Sequence, residues 1–176
     1  MAKAAAKTRK KAEEKSIYRQ ALKRVTDRLD GTGLPWPKRP GDYGTEYEFP
    51  SDITVKSPAS VGKLQSRLAG WEGYVIRLLA LADIDLDLLQ ISYDIALGEK
   101  MAEIQKSGSK CTLKDTLRAE ALTAVPALKR ATFAIAERKA LVSALKAQKS
   151  IYEKQRNAVS REQSRRSDEF RGRHND

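Results

Sequence analysis

Apolar residues recur along two stretches of this chain with the three-then-four spacing of a helix seam. Val61, Leu64, Leu68, Trp71, Val75, Leu78 and Ala82 keep that spacing without a miss, nearly three heptads of a coiled-coil stripe. Ile76, Leu79, Leu81, Leu86, Leu88 and Leu89 widen the stripe, so this helix is expected to be buried on more than one side. Ser57 followed by Pro58 supplies an N-cap and first-turn pair for its start. The aspartates of DIDLDLL (Asp83, Asp85 and Asp87) alternate with apolar residues as a strand would, but the preceding heptads outweigh six residues and predict helix. Gly70 and Gly73 each weaken the helix by up to about 1 kcal/mol relative to Ala. Beside Ala69 they would let a second helix come close.

The second stripe follows a short polar turn at KSGSKC, where Gly108 ends the first helix near residue 106. TLKD, from Thr112, then opens a helix with a Thr cap. Ala121, Ala124, Leu128, Ala131, Ile135, Arg138, Val142, Leu145, Lys149, Tyr152, Arg156 and Val159 continue the three-four spacing. Pro126 is expected to kink this helix rather than end it, because the period survives on both sides. So short a turn predicts an antiparallel hairpin of residues 57–106 and 112–170. At a rise of ~1.5 Å per residue the second arm would run some 85 Å and the first about 70 Å. The basic end of the second arm would then project with a half-filled seam, which predicts self-association through Leu64, Leu68, Trp71, Val75, Leu145, Tyr152 and Val159. The expected fold is therefore all-α: a long helical hairpin or coiled coil with an accessory N-terminal helix.

Outside the hairpin the pattern thins. Residues 1–29 read as a basic helix or tail, with Tyr18, Leu22, Val25 and Leu29 as a narrow apolar stripe. Residues 30–56 hold Gly31, Gly33, Gly41 and Gly44 with Pro35, Pro37, Pro40 and Pro50, so they form a linker. Trp36, Tyr43, Tyr47 and Phe49 in this linker would either pin it to the helical body or form a stacking or docking segment. Residues 171–176 read as a disordered tail.

Charge changes the picture from a plain hairpin to a molecule with a partner. Of 176 residues 32% are charged and 6% aromatic, and the net charge is +11, the balance of long helices rather than of a sandwich or an α/β enzyme. Residues 1–29 carry ten basic residues against three acidic, and residues 138–173 eleven against four, so each end holds +7 around a slightly acidic middle. Two cationic ends point to a polyanion, nucleic acid above all, or merely keep an elongated protein in solution. A single cysteine, Cys111, excludes an internal disulfide framework and suits a reducing cytoplasm. The start lacks the apolar core of a secretory signal, and no apolar run reaches a membrane span. One histidine, His174, and one cysteine give neither a zinc set nor a nucleophile pair, and no phosphate-cradling glycine loop is present. Neither a metal, a cofactor nor catalysis is expected, since Asp83, Asp85 and Asp87 point apart on a helix.

Towards the end of the second stripe the seam turns cationic. Lys149 and Arg156 occupy one row, Arg166 the other, and Lys154, Arg161 and Arg165 form a column beside them. Within SREQSRR, Glu162 and Arg166 make an i,i+4 pair, whereas Arg161 and Arg165 are expected to lack an acidic partner one turn away. Guanidinium groups fork onto phosphate oxygens, so these residues, with Lys7, Arg9, Lys10 and Lys11, are the candidate grip on a nucleic-acid backbone. Tyr152 and the linker aromatics are candidate platforms for stacked bases. The competing reading is a solvated, charged helix face.

EFPSDIT leading into Leu64, Leu68, Trp71 and Tyr74, the stretch from Tyr93 to Lys100, and YEKQRNAVSREQSRR together resemble small helical proteins of tailed bacteriophages similar to UvsY-type recombination mediators. The resemblance spans roughly residues 48–168. It implies an oligomeric helical protein in the cytoplasm of a bacterial host that binds single-stranded DNA and loads a RecA-like recombinase, with the cations around SREQSRR on the sugar–phosphate backbone. The basic N-terminal extension and the aromatic linker depart from that pattern. They keep open a phage structural or assembly protein of the virion, or an adaptor or inhibitor of a host protein.

Overall fold

The computed structural model describes residues 20, 23–41, 49–107 and 113–172. They form an all-α protein: α1 (residues 23–30), α2 (Pro58–Lys106), α3 (Lys114–Ala124) and α4 (Pro126–Gly172). Two compact units divide them. One contains α1, the second half of α2, α3 and the first part of α4 to Val142. The other contains residues from Trp36 to Ala80 and from Ser143 onward.

In the second unit, the start of α2 is capped as its sequence suggests. The Ser60 N–H donates to Ser57 Oγ at 3.3 Å and the Val61 N–H to the Ser57 carbonyl at 3.0 Å, which satisfies amides that a helix start leaves open. Val61, Leu68 and Val75 then pack with Tyr152 and Val159 of α4 into one core. The pairing is antiparallel. Gln65 Nε2 donates to Ser160 Oγ at 3.2 Å, and further along α2 Glu72 meets Arg156, an earlier position on α4.

In the first unit the core is Tyr93, Leu97, Ala121, Leu128 and Ile135, with Leu86, Leu89, Ile104 and Ala131 packed against it. Here the packed positions of α2 run 89, 93, 97 and 101, four apart each time, so the stripe leaves strict heptad spacing and drifts around the helix. Ile91 and Ile95 are exposed as a result. Asp85, read as one of an alternating trio, accepts a hydrogen bond from Arg138 Nε at 2.5 Å.

Three expectations are corrected. Pro126 breaks the helix instead of kinking it. Val125 is extended (φ −126°, ψ 94°), α3 ends before it and α4 starts at Pro126. A proline disfavours the helical conformation of the residue before it, here a β-branched one, while fitting the first position of a new helix. Secondly, Leu113 stands at the N-cap of α3 with no side-chain cap, and Thr112 lies outside the described residues. Thirdly, the space beside Gly70 and Gly73 is taken by the linker rather than a helix. A Cβ on Gly70 would meet Pro40 Cγ at 3.4 Å, and one on Gly73 would meet Pro37 Cβ at 3.4 Å.

The residues expected to join copies of the chain serve its own core. Leu68 and Val159 are fully buried, Val75 and Tyr152 nearly so, and Leu64, Trp71 and Leu145 pack against them. The seam towards the end of α4 is covered by the first turns of α2 and by Phe49 and Ile53 of the same chain. Among the described residues, no helix is long and apolar enough to cross a membrane.

Candidate nucleic-acid interface

Among the described residues, the second half of α4 holds the candidate cations, and the structure divides them into two groups. The first group is tied into the fold. Arg156 Nε lies 2.8 Å from Glu72 Oε2, a charge contact in which the N–H is not aimed at the carboxylate. Glu72 comes from the seam-flanking face of α2, so the cation that interrupts the apolar row of α4 is neutralised across the helix pair.

SREQSRR is organised around Glu162, which is only 8% exposed. Arg165 donates to it from Nε and Nη2, both at 2.8 Å, and Arg166 from Nε at 2.6 Å. Arg165 also reaches Glu169 one turn on. The hydrogen bonds from Arg165, then those from Arg166, hold the Glu162 carboxyl down at about 2, and the same pairing raises the Arg165 guanidinium. Arg166 goes further. Its Nη2 donates to the carbonyls of Ile53 at 3.2 Å and Thr54 at 2.9 Å, stitching residues 49–57 onto α4.

Arg165 therefore does have acidic partners, three residues back and four ahead, contrary to the sequence expectation. Both spacings bring side chains onto one helix face. Glu162 and Glu72 are the functional residues that reading the chain missed. For Glu162 the signal was present, since it sits three before Arg165 and four before Arg166. For Glu72 nothing local announces a partner 84 positions away in sequence.

The second group lacks such partners, and all of it faces outward except Lys149, which is half-buried in the seam row seven before Arg156. Lys146, Lys149, Lys154 and Arg161 make no ion pair among the described residues. Arg161 Nε only touches the Asn157 carbonyl of the preceding turn at 3.4 Å. Lys154 and Arg161, seven apart, share the exposed side of α4. Glu153 is the single acid between Arg138 and Arg161. Lys146 belongs to this set although the seam pattern did not single it out. Lys7, Arg9, Lys10 and Lys11 lie outside the described residues.

The expected stacking platforms are engaged elsewhere. Tyr152 is buried in the core. The Arg77 guanidinium carbon lies 5.4 Å from the Trp36 ring centroid, and Arg77 Nη1 donates to the Pro37 carbonyl at 3.3 Å. With Pro37 and Pro40 on the two glycines and Phe49 against the core, the described parts of this linker are pinned to the helical body. Tyr43 and Tyr47 lie outside the described residues. Compared with family models, curated proteins and solved structures, the chain finds no match. The resemblance to UvsY-type mediators thus rests on its own spacing motifs.

Proposed function

We propose that this is a non-enzymatic, sequence-independent nucleic-acid-binding protein, acting on single-stranded DNA in phage recombination or replication and helping to load a RecA-like recombinase. One observation carries the binding reading: four cations of α4, Lys146, Lys149, Lys154 and Arg161, have no ion pair among the described residues. A helix face of this kind suits a phosphate backbone, because each phosphate it neutralises releases counterion. It offers no arrangement for reading bases, so the binding is indifferent to sequence. The recombination context comes from the motif resemblance alone.

Anisotropy of a labelled thymidine oligonucleotide at rising salt tests the binding. Four phosphate contacts predict a slope of log affinity against log salt of about −3 for a single strand. Absence of binding at low salt refutes the proposal.

A second reading has its own observation. Arg156, Arg165 and Arg166 are matched to carboxylates of the same chain, which is what an architectural or assembly protein of the virion, or a host-protein adaptor, would need for rigidity. Co-purification with assembled particles, together with no affinity for oligonucleotides, would favour it.

A further inference from the structure

A cleft of ≈ 690 Å³ opens between the segment before α2 and the first turns of that helix, within the second unit. Ser60, Lys63 and Arg67 line it from one stripe of α2, at spacings of three and four, and Lys56 joins them from the segment before the helix. Ser66 adds a second hydroxyl, and Pro50 gives an apolar edge. Among the described residues, no carboxylate lines the cleft. From Ile53 to Trp71 the chain has no acidic residue at all, and the first turn of α2 has none.

The acids that flank this stretch are already engaged. Asp52 accepts hydrogen bonds from the Thr54 N–H at 2.8 Å and the Thr54 hydroxyl at 2.6 Å. These lower its carboxyl, and it lies close enough to Glu162 to feel that charge. Glu72 is held by Arg156. Lys56 and Lys63 make no ion pair among the described residues. Concave, cationic and hydroxylated, with an apolar edge, such a site suits a phosphate ester carrying an organic group.

We propose that this cleft binds the phosphate of a nucleotide, either a free nucleotide or one unit of a bound strand. The ammonium groups of Lys56 and Lys63 take the phosphate oxygens, and Pro50 takes the sugar or base. Where a strand is the source, the site adds a second anchor to the polyanion reading and rests on it. A free nucleotide would fill it independently of α4.

The test titrates the full chain with ADP and with a labelled thymidine oligonucleotide. Three variants are compared: Lys56→Gln with Lys63→Gln, Gly62→Leu, and Lys154→Glu with Arg161→Glu. Gly62 lines the cleft with nothing within 4 Å of the place a Cβ would occupy, so a leucine begins in open space there and obstructs the cleft without changing charge. Both cleft variants are expected to weaken at least one probe about tenfold or more, the lysine pair by removing charge-assisted contacts to phosphate and Gly62→Leu by obstructing the cleft. Loss of ADP binding identifies a free-nucleotide site. An effect on the oligonucleotide alone identifies a strand unit.

The inference is overturned if neither probe responds to the cleft variants, or if Gly62→Leu leaves both affinities intact. The α4 variant separates the two claims. Oligonucleotide binding lost there and kept in the cleft variants leaves the proposed function standing without this site. ADP binding lost only in the cleft variants, with the α4 pair inert towards the oligonucleotide, leaves the site standing without that function.

Discussion

Glu162 shows at the scale of one residue how a basic stretch can be structural. Its carboxyl, ordinarily near 4.5, is held at about 2 by the hydrogen bonds from Arg165 and Arg166. The unfolded chain therefore takes up this proton at a higher pH than the folded one. The stability it contributes is complete above about 4.5 and is lost as pH falls towards 2. Urea midpoints measured across that range should fall with acid in the natural chain and fall less in Glu162→Gln. Equal slopes would show that the carboxylate is not coupled to folding. Leu68, fully buried beside Val61 and Val159, sits at the other extreme of chemistry. Leu68→Ala should cost about 2–5 kcal/mol in equilibrium unfolding, as a cavity in a packed core does. A cost near zero would mean that the seam is not closed within the chain.

The element scale separates what the chain announces from what it conceals. The two seam helices were legible because a helix buried along one stripe has to repeat apolar residues at three-four spacing, and Val61 to Val75 and Val142 to Val159 do so. The α3–α4 break was legible only in part. Apolar spacing runs straight through Pro126, so the pattern carried no trace of the extended Val125 that the proline imposes. Gly70 and Gly73 correctly signalled a close approach, but period alone cannot say whether a helix or a proline-rich strap arrives. The strap is testable. Gly73→Leu should push Pro37 away, since even a Cβ there would lie 3.4 Å from it. Residues 34–41 should then become open to trypsin after Lys38, while the helix content by circular dichroism stays unchanged. Unaltered digestion would contradict the docking of the linker on α2.

At the scale of the whole molecule, the question is how a chain of net charge +11 uses its cations. Among the basic residues of α4, reading local spacing paired Arg166 with Glu162 but gave Arg156 and Arg165 no carboxylate. Their roles separate only when the fold brings Glu72 to Arg156 and the carbonyls of Ile53 and Thr54 to Arg166, contacts between positions far apart in the chain. Filling the seam from within also removes the stated reason for self-association through Leu64, Leu68, Trp71 and Val75. Substitutions there should unfold the protein rather than dissociate an oligomer, which sedimentation alongside circular dichroism distinguishes. A change in sedimentation with the helical signal intact would restore the interface reading.

The division of labour along α4 is tested most directly by comparing Lys154→Ala with Arg161→Ala against Arg165→Ala with Arg166→Ala, each measured for oligonucleotide affinity at low salt and for its urea midpoint. The outward pair should weaken binding with its urea midpoint unchanged. The acid-paired arginines should lower that midpoint while the chain that remains folded binds as before. Should Arg165→Ala with Arg166→Ala abolish binding at an unchanged midpoint, or the outward pair leave affinity untouched, the assignment of these cations is wrong.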